Sequence, residues 1–502
     1  MKRLFLLIAM LVLGSSGVRA QTAATPAPAP APESGSADAF IAEIKHPVDW
    51  FTWGGDIRLR NEYFNNALTL GDNVARHEQD YFRYRERVWF SFQPVTDVSL
   101  NARVAAEQRD WMNPSFAKQF GYQEGFEDRY AILDSANVKW ANVFGLPLTL
   151  TVGRQDIQVG DPANTWLVLD GTPYDGSWTT FFDAARATYS VDSIQTKLDL
   201  IYIYQCALPD EWMPTLGTST RNTHPSAAVP GTAPYWLTEQ NEQGVIVYLS
   251  NKSVKDLQLD GYFIYKHDSQ EGLIRSPYGT PLGDNADIFT FGGKITGTPT
   301  PNWKYSLEGA YQCGEKEDPM VHYPLPETQR RDISAYGANA SLTYLVKDPM
   351  DDQFSAIFEY LSGDNPKTTG RDEMFDVLWG RWPRWSELYI YSYANETGGK
   401  IAQMNNLLRI GPNWTVTPAN NTTFSLTYNA LFAPQAVPTR AVTPTQFSND
   451  GHFRGHYVQA VLKHKFSKYI SAHLWAEAVS QGNYYTRRDL MTFLRAETVF
   501  SF

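Results

Sequence analysis

From Trp50 to its last residue this chain of 502 amino acids is written in period 2, apolar and polar side chains alternating through segment after segment. The first segment sets Trp53, Gly55, Ile57 and Leu59 on one parity against Asp56, Arg58, Arg60 and Glu62 on the other. The last sets Leu490, Leu494, Ala496, Phe500 and Phe502 against Arg495 and Glu497. Successive side chains of a strand point to opposite faces, so each run reads as a strand with one apolar and one polar face. Eighteen such segments can be counted, from 51–64 to 489–502, with one placed at 401–410 and a turn after it at 411–420. The connections alternate in length: eight short ones, such as 142–147 and 467–468, are interleaved with nine longer ones, including 206–242, 268–285, 362–400 and 433–453. Seventeen connections of this kind require eighteen strands, with both chain ends on the short-turn side.

Past the N-terminal leader no apolar run approaches the roughly 18 residues that a membrane helix needs, so a bilayer could be crossed only by a closed barrel. Short turns at one end and long loops at the other are the layout of an outer-membrane barrel. The 15 Trp, 28 Tyr and 27 Phe fit the aromatic belts of such a wall. A soluble propeller would show a fixed repeat of about 40 residues, and none is visible. The chain also ends in Phe502, a terminal aromatic familiar from outer-membrane barrels. The expected fold is all-β: a closed antiparallel transmembrane β-barrel of about eighteen strands over 50–502, in the bacterial outer membrane.

Residues 1–20 read as a signal peptide: Lys2 and Arg3, an apolar run from Leu4 to Leu13, then Val18-Arg19-Ala20 as the cleavage site. Residues 21–49 read as an Ala/Pro-rich periplasmic tether, most clearly at 22–36. The formal charge of -11 argues against nucleic acid as partner, because phosphates call for surplus Lys and Arg. Two cysteines, Cys206 and Cys313, supply no thiolate cluster, so no metal is expected. No HExxH, Walker loop or Gly-x-Ser-x-Gly appears, and Ser115 and Lys118 match Ser-x-x-Lys without its companion motifs. Neither a cofactor nor catalysis is expected.

The apolar parity must face lipid, since an arginine at the midplane of the lipid face costs roughly 2 to 4 kcal/mol. The second segment therefore sends Phe82, Tyr84, Val88, Phe90 and Phe92 outward and Arg83, Arg85 and Arg87 inward. The third sends Arg103, Glu107 and Arg109 inward. Glu86 falls on the apolar parity and is expected near a rim or beside a bulge. Across the first three strands the inward face then carries Arg58, Arg60, Arg83, Arg85, Arg87, Arg103 and Arg109 against Asp56, Glu62 and Glu107. Two readings stand: a basic wall that draws anions into an aqueous lumen, and a scaffold of arginine–carboxylate pairs that satisfies inward charge.

Several stretches resemble the alginate export family of outer-membrane barrels: GGDIRLRNEYFNN (54–66), DYFRYRERVWF (80–90), VGRQDIQVGD (152–161), FFDAARATYS (181–190) and FEYLSGDN (358–365) with Asn405-Asn406 downstream. The resemblance implies a monomeric eighteen-stranded barrel whose lumen narrows at an electropositive constriction and passes an acidic exopolysaccharide. The constriction would be carried by Arg154, Asp156, Asp183 and Arg186, with inward arginines such as Arg409 and Arg495. The partners implied are an anionic, uronate-containing polysaccharide or its oligosaccharides, outer-membrane lipid and periplasmic export components. Export is the leading expectation, with an uptake porin for small anionic solutes as the alternative. In loop 362–400 the run WGRWPRW places Trp379, Trp382 and Trp385 among Arg381 and Arg384, a pattern suited either to stacking on sugar rings or to a loop core. Loop 206–242 is a candidate lid over the mouth.

Overall fold

The computed structural model describes residues 36–502 apart from 75–76, 114–125, 160–180, 208–237, 273–282, 319–328, 381–383, 399–402, 439–440 and 442. Among the described residues the eighteen expected strands are β1 (Phe51–Asn65), β2 (Glu78–Val95), β3 (Val98–Asn113), β4 (Phe126–Trp140), β5 (Leu148–Gln155), β6 (Phe182–Val191), β7 (Thr196–Gln205), β8 (Gln240–Asn251), β9 (Leu257–Gln270), β10 (Asn285–Thr300), β11 (Trp303–Asp318), β12 (Gln329–Leu345), β13 (Gln353–Leu361), β14 (Leu407–Ala419), β15 (Thr422–Phe432), β16 (Phe453–Lys465), β17 (Ile470–Gln481) and β18 (Leu490–Ser501). Sequence neighbours pair antiparallel, and β18 returns to β1 with Asp56 opposite Ser501 and Asn65 opposite Thr492. Closure removes every free edge, the condition for spanning lipid with strands. Phe502 completes the seam: its amide donates to Gly55 O at 3.0 Å and its ring lies 5.5 Å from that of Trp53.

One strand is displaced from its expected place. β14 runs over Leu407–Ala419 and the turn after it is only Asn420-Asn421, so 411–420 is mostly strand. Gly411 and Pro412 read as turn punctuation, but the β14–β15 ladder passes from Ile410 to Asn413 without pairing them, so the missing N–H of Pro412 interrupts nothing on that side.

The parity rule holds on the wall. Ile57, Leu59, Phe90, Leu100, Val138 and Leu200 are exposed outward, while Arg58, Arg60, Arg83 and Arg85 are buried inward. Aromatic pairs ring both ends of the outer band: Trp50–Phe92, Trp140–Phe144 and Trp303–Tyr344 near the short turns, Tyr265–Phe289 and Tyr311–Tyr336 toward the long loops. Glu86 stands in mid-strand rather than at a rim, opposite Ile57 and Ala106. Ala106 lies between two irregularities of the β3–β4 pairing, at Arg103/Val104 and Glu107/Gln108, so the bulge half of that expectation is the nearer one.

Within the stretch read as a tether, Ser36–Lys45 forms helix α1, a unit of its own. Residues 1–35, with the expected signal peptide, lie outside the described residues. Cys206 and Cys313 are not joined by a disulfide.

Candidate functional site

Strand register sets charge in rows on the inward face of β18, β1, β2 and β3. Arg58 lies opposite Arg85, and Arg85 opposite Glu107; Arg60 stands between Glu497 and Arg83; Glu62 stands between Arg495 and Tyr81; Asp56 faces Arg87. The side chains turn this grid into ion pairs. Arg87 Nη2 donates to Asp56 Oδ2 at 2.6 Å, with Arg85 Nη2 3.5 Å from the same carboxylate. Arg60 reaches Glu497 at 2.5 Å and Glu62 at 3.2 Å, and Arg83 pairs with Glu107. Arg495 reaches Glu62 at 2.5 Å and Glu387 at 2.6 Å. Arg109 lies over the ring of Tyr81, 5.0 Å from its centroid. Arg103 forms a fork with Asp156, at 2.7 and 2.9 Å, and donates to Asp134 at 2.8 Å.

Leaving out Arg103 with its two acids, seven arginines on this wall (Arg58, Arg60, Arg83, Arg85, Arg87, Arg109 and Arg495) meet five carboxylates (Asp56, Glu62, Glu107, Glu497 and Glu387). The scaffold of pairs and the cationic surplus therefore coexist. Half a turn round the barrel the inward face has a different chemistry: Tyr248 and Tyr262 stack with centroids 5.7 Å apart, and Tyr262 Oη donates to Glu308 at 3.1 Å.

The interior is not the open aqueous space expected from strand number alone. The described residues between β13 and β14 (362–380, 384–398 and 403–406) fold into the barrel and cross it. The segment is first held at β12, where Arg331 donates to Asp364 at 2.7 Å and to Asp372 at 3.0 Å, and Arg371–Asp372 pair parallel with Asp332–Ile333. Gln312 of β11 then donates to Asp376 O at 2.7 Å. Two glycines of the wall make room for the aromatic residues that follow. A Cβ on Gly337 would stand 2.7 Å from the Phe375 ring, and one on Gly244 would meet Tyr265 O at 2.0 Å and the Trp379 ring at 2.8 Å. Replacing Gly337 by valine is accordingly expected to lower stability by about 1 to 3 kcal/mol through overpacking. A chemical-unfolding midpoint equal to that of the parent would refute this.

On the far side the segment forms helix α2 (Glu387–Ser392), capped by Ser386, whose Oγ accepts from the Tyr389 amide. Glu477 of β17 accepts from Ser386 Oγ at 2.6 Å and from the amides of Glu387 and Leu388 at 2.8 and 3.1 Å. These are helix N–H groups that otherwise lack partners. Leu388, Tyr389, Ile390, Tyr391 and Tyr393 pack against inward residues of β1, β16, β17 and β18, including Phe64, Tyr457, Val479 and Phe493, as one apolar cluster. Arg454 is the extra residue of a bulge in β16, between the pairs Leu431–Gly455 and Phe432–Phe453. It forks onto Glu396 at 2.5 and 2.7 Å, and Tyr484 Oη donates to that carboxylate at 2.8 Å.

The other expected site residues are distributed around the wall. Arg154 forks onto Asp183 at 2.9 and 3.1 Å, Arg186 donates to Asp199 at 3.0 Å, and Arg409 donates to Glu359 at 2.9 Å. These pairs do not join Asp156 and Arg495 in one cluster: Asp156 belongs to Arg103, and Arg495 to Glu62 and Glu387. Trp379 is 2% exposed, packed edge-on to Phe182 with Lys266 Nζ 5.8 Å from its ring, so it offers no open face. Trp385 packs on Tyr389 and Tyr457 beneath Arg409. Trp379 is thus enclosed and Trp385 half-buried; Trp382 lies outside the described residues, as does most of loop 206–242. Glu387, Glu396, Glu477 and Arg454 were not expected, although Ser386 followed by Glu387 is a helix-start signal.

The loop also carries a titrating group. Burial first, and then the neighbouring Asp372 carboxylate, push Asp364 up to about 6 against the pull of Arg331. A carboxyl group whose folded value is raised favours the folded state once protonated, so this contribution appears as pH falls through about 6 and is lost as pH rises. The parent should therefore gain stability relative to Asp364→Asn between pH 7 and pH 5. Parallel stability curves for the two proteins over that range would contradict it.

Comparison with known proteins agrees with this architecture. Among solved structures the chain is similar to Pseudomonas aeruginosa OccK8 (OprE), at 12% identity over 90% of this chain and 98% of that one, with a TM-score of 0.50. It is also similar to Acinetobacter baumannii OccAB3, at 11% identity over 90% and 99% with a TM-score of 0.49. P. aeruginosa OccK5 (OpdH) gives 10%, 89%, 97% and 0.49 for the same four quantities. At this identity the likeness to OccK8 speaks to the fold alone. No curated protein matches the chain. The family described as alginate export matches residues 237–496, more than half of the sequence. With a closed barrel, a lipid-facing apolar band and a charged interior already in place, the chain belongs to the alginate export family and forms a channel in the bacterial outer membrane.

Proposed function

We propose that this channel exports an anionic, uronate-containing polysaccharide of the alginate type, and that the arginine rows of β18, β1, β2 and β3 form its path. The observation that carries the reading is the wall itself: seven guanidinium groups turned toward the axis, Arg103 and its two acids aside, against four wall carboxylates and Glu387 of the inward segment, in a molecule whose overall charge is -11. Arg87 and Arg103, the least covered arginines of this wall and held by neighbouring acids, present fixed donors to passing carboxylates, and the acids beside them keep each contact weak and repeated, as conduction requires. Nothing in the sequence supplies a nucleotide site, so movement would be diffusive or driven by polymer synthesis. Arg154, Asp156, Asp183, Arg186 and Arg409 extend the same paired charge around the lumen.

A second reading is uptake of small anionic solutes or oligosaccharides, favoured by one observation: segment 362–406 crosses the interior and narrows it. Planar-bilayer recordings separate the two. Export predicts an anion-preferring pore whose current is blocked by long oligouronates more strongly than by neutral oligosaccharides of equal length. Uptake predicts block and transit by short uronates only, and a cation-preferring pore would defeat both.

A further inference from the structure

Helix α1 is ten residues long and a unit of its own, yet helices shorter than roughly 12 to 15 residues are marginal in water without a surface to pack on. Phe40, Ile41 and Ile44 lie within an arc of about 100° on it, and Glu43 and Lys45 fall outside that arc. Phe40 is 61% exposed. Exposed apolar residues continue past the helix, with Val48 at 41% and Trp50 at 52%. That continuation is fixed to the barrel wall. The Phe51 amide donates to Val48 O at 3.1 Å, the Gln93 amide donates to Trp50 O at 2.7 Å, and the Trp50 ring stands edge-on to Phe92 with centroids 5.2 Å apart. Trp50 and Phe92 belong to the aromatic girdle that marks the membrane–water boundary at the short turns. Only His46 and Pro47 separate the end of α1 from Val48. Those three Cα spacings cover at most about 11 Å, and Pro47 stiffens them by fixing its own φ and disfavouring helical geometry at His46.

An apolar stripe tethered that close to the girdle has the acyl chains of the bilayer as its nearest apolar phase. We propose that α1 lies in the plane of the membrane interface on the short-turn side, with Phe40, Ile41 and Ile44 turned into the acyl boundary of that leaflet and Trp50 completing the contact. The partner is the phospholipid surface itself. It is engaged by apolar insertion: the charges of Glu43 and Lys45 cancel, so anionic headgroups add little. In this position the helix fixes where the Ala/Pro-rich stretch upstream leaves the membrane surface. The anchor goes beyond the export reading and is independent of what the channel conducts.

The test uses the purified chain in nanodiscs of phosphatidylethanolamine and phosphatidylglycerol, with Cys206→Ser and Cys313→Ser removing the native thiols. A nitroxide is attached at Ile41→Cys in one sample and at Glu43→Cys in another. Its collisions with oxygen, which concentrates among acyl chains, and with a water-soluble nickel chelate are then measured. Oxygen accessibility at position 41 should exceed that at position 43, and nickel accessibility at 41 should be several-fold lower. Adding Phe40→Asp to the Ile41→Cys sample should raise nickel accessibility there several-fold. High nickel accessibility at both positions would place the helix in water. Low accessibility of position 41 to both reagents would mean that protein covers it, whether a second copy or another part of this chain. Either result overturns the proposal, and so does a ratio that Phe40→Asp leaves unchanged. Heat-dependent gel mobility verifies the barrel in every sample, and if Ile41→Cys does not fold, Ile44→Cys takes its place. Ion selectivity plays no part in this readout, so a cation-preferring pore would remove the export reading and leave the anchor standing.

Discussion

Replacing Arg454 by methionine is expected to lower the unfolding free energy by about 3 to 5 kcal/mol, the usual consequence of leaving a buried charge without its partner. Arg454 is fully buried and forks onto Glu396, which is 2% exposed. Its Nη2 also donates to Asn406 O at 2.9 Å, and the rings of Tyr484 and Tyr393 lie 4.4 and 5.3 Å from its Cζ. The variant strands a carboxylate that keeps the Tyr484 hydroxyl as a donor. It also frees the end of the inward segment where that segment rejoins the wall. The double variant Arg454→Met, Glu396→Gln should recover most of the loss, since the stranded charge is then gone. Urea unfolding of the three proteins provides the measurement. A single variant that unfolds at the parent's midpoint would mean that the fork contributes little and that the segment is anchored elsewhere.

Excising residues 371–398 and bridging the gap with a short Gly/Ser linker should raise single-channel conductance several-fold, on the order of three to ten times, because a barrel of this strand number encloses an aqueous lumen when nothing fills it. The expectation follows from the route of the segment. It starts at Arg331 on β12, passes Gln312 on β11 and the Gly244 notch on β8, and ends beneath Glu477 and Arg454 on β17 and β16. A chain that touches walls so far apart must cross the conducting space. Most of the apolar cluster contributed by Leu388, Tyr389, Ile390 and Tyr393 would vanish with it, leaving the paired charges of the wall to line the pore. Unchanged conductance in a folded deletion variant would show that ions bypass the segment, and the narrowing argument for small solutes would fall with it.

Much of this architecture is legible in the residues because lipid imposes a severe rule. Every second side chain of a spanning strand must be apolar, so parity alone tells inside from outside, and Arg58, Arg60, Arg83, Arg85 and Arg87 point where alternation says they must. The rule weakens where alternation is interrupted. Arg454 sits on a bulge, and Pro412 lies in a ladder gap within a strand that reads like a turn. It says nothing about Trp379 and Trp385, since an aromatic residue in a long loop has the same composition whether it stacks on a sugar or fills a core. Trp379 is enclosed against Phe182, and Trp385 is half-buried against Tyr457, packing that composition does not specify.

Two kinds of information thus separate. Alternating polarity and the rhythm of short and long connections were enough to determine a closed barrel of eighteen strands and the inward direction of its arginines, because both are local properties of strands in hydrocarbon. Which carboxylate each arginine meets, and that segment 362–406 turns into the barrel instead of out toward water, depend on register between strands hundreds of residues apart, such as Glu62 with Arg495. Only the closed structure brings these together.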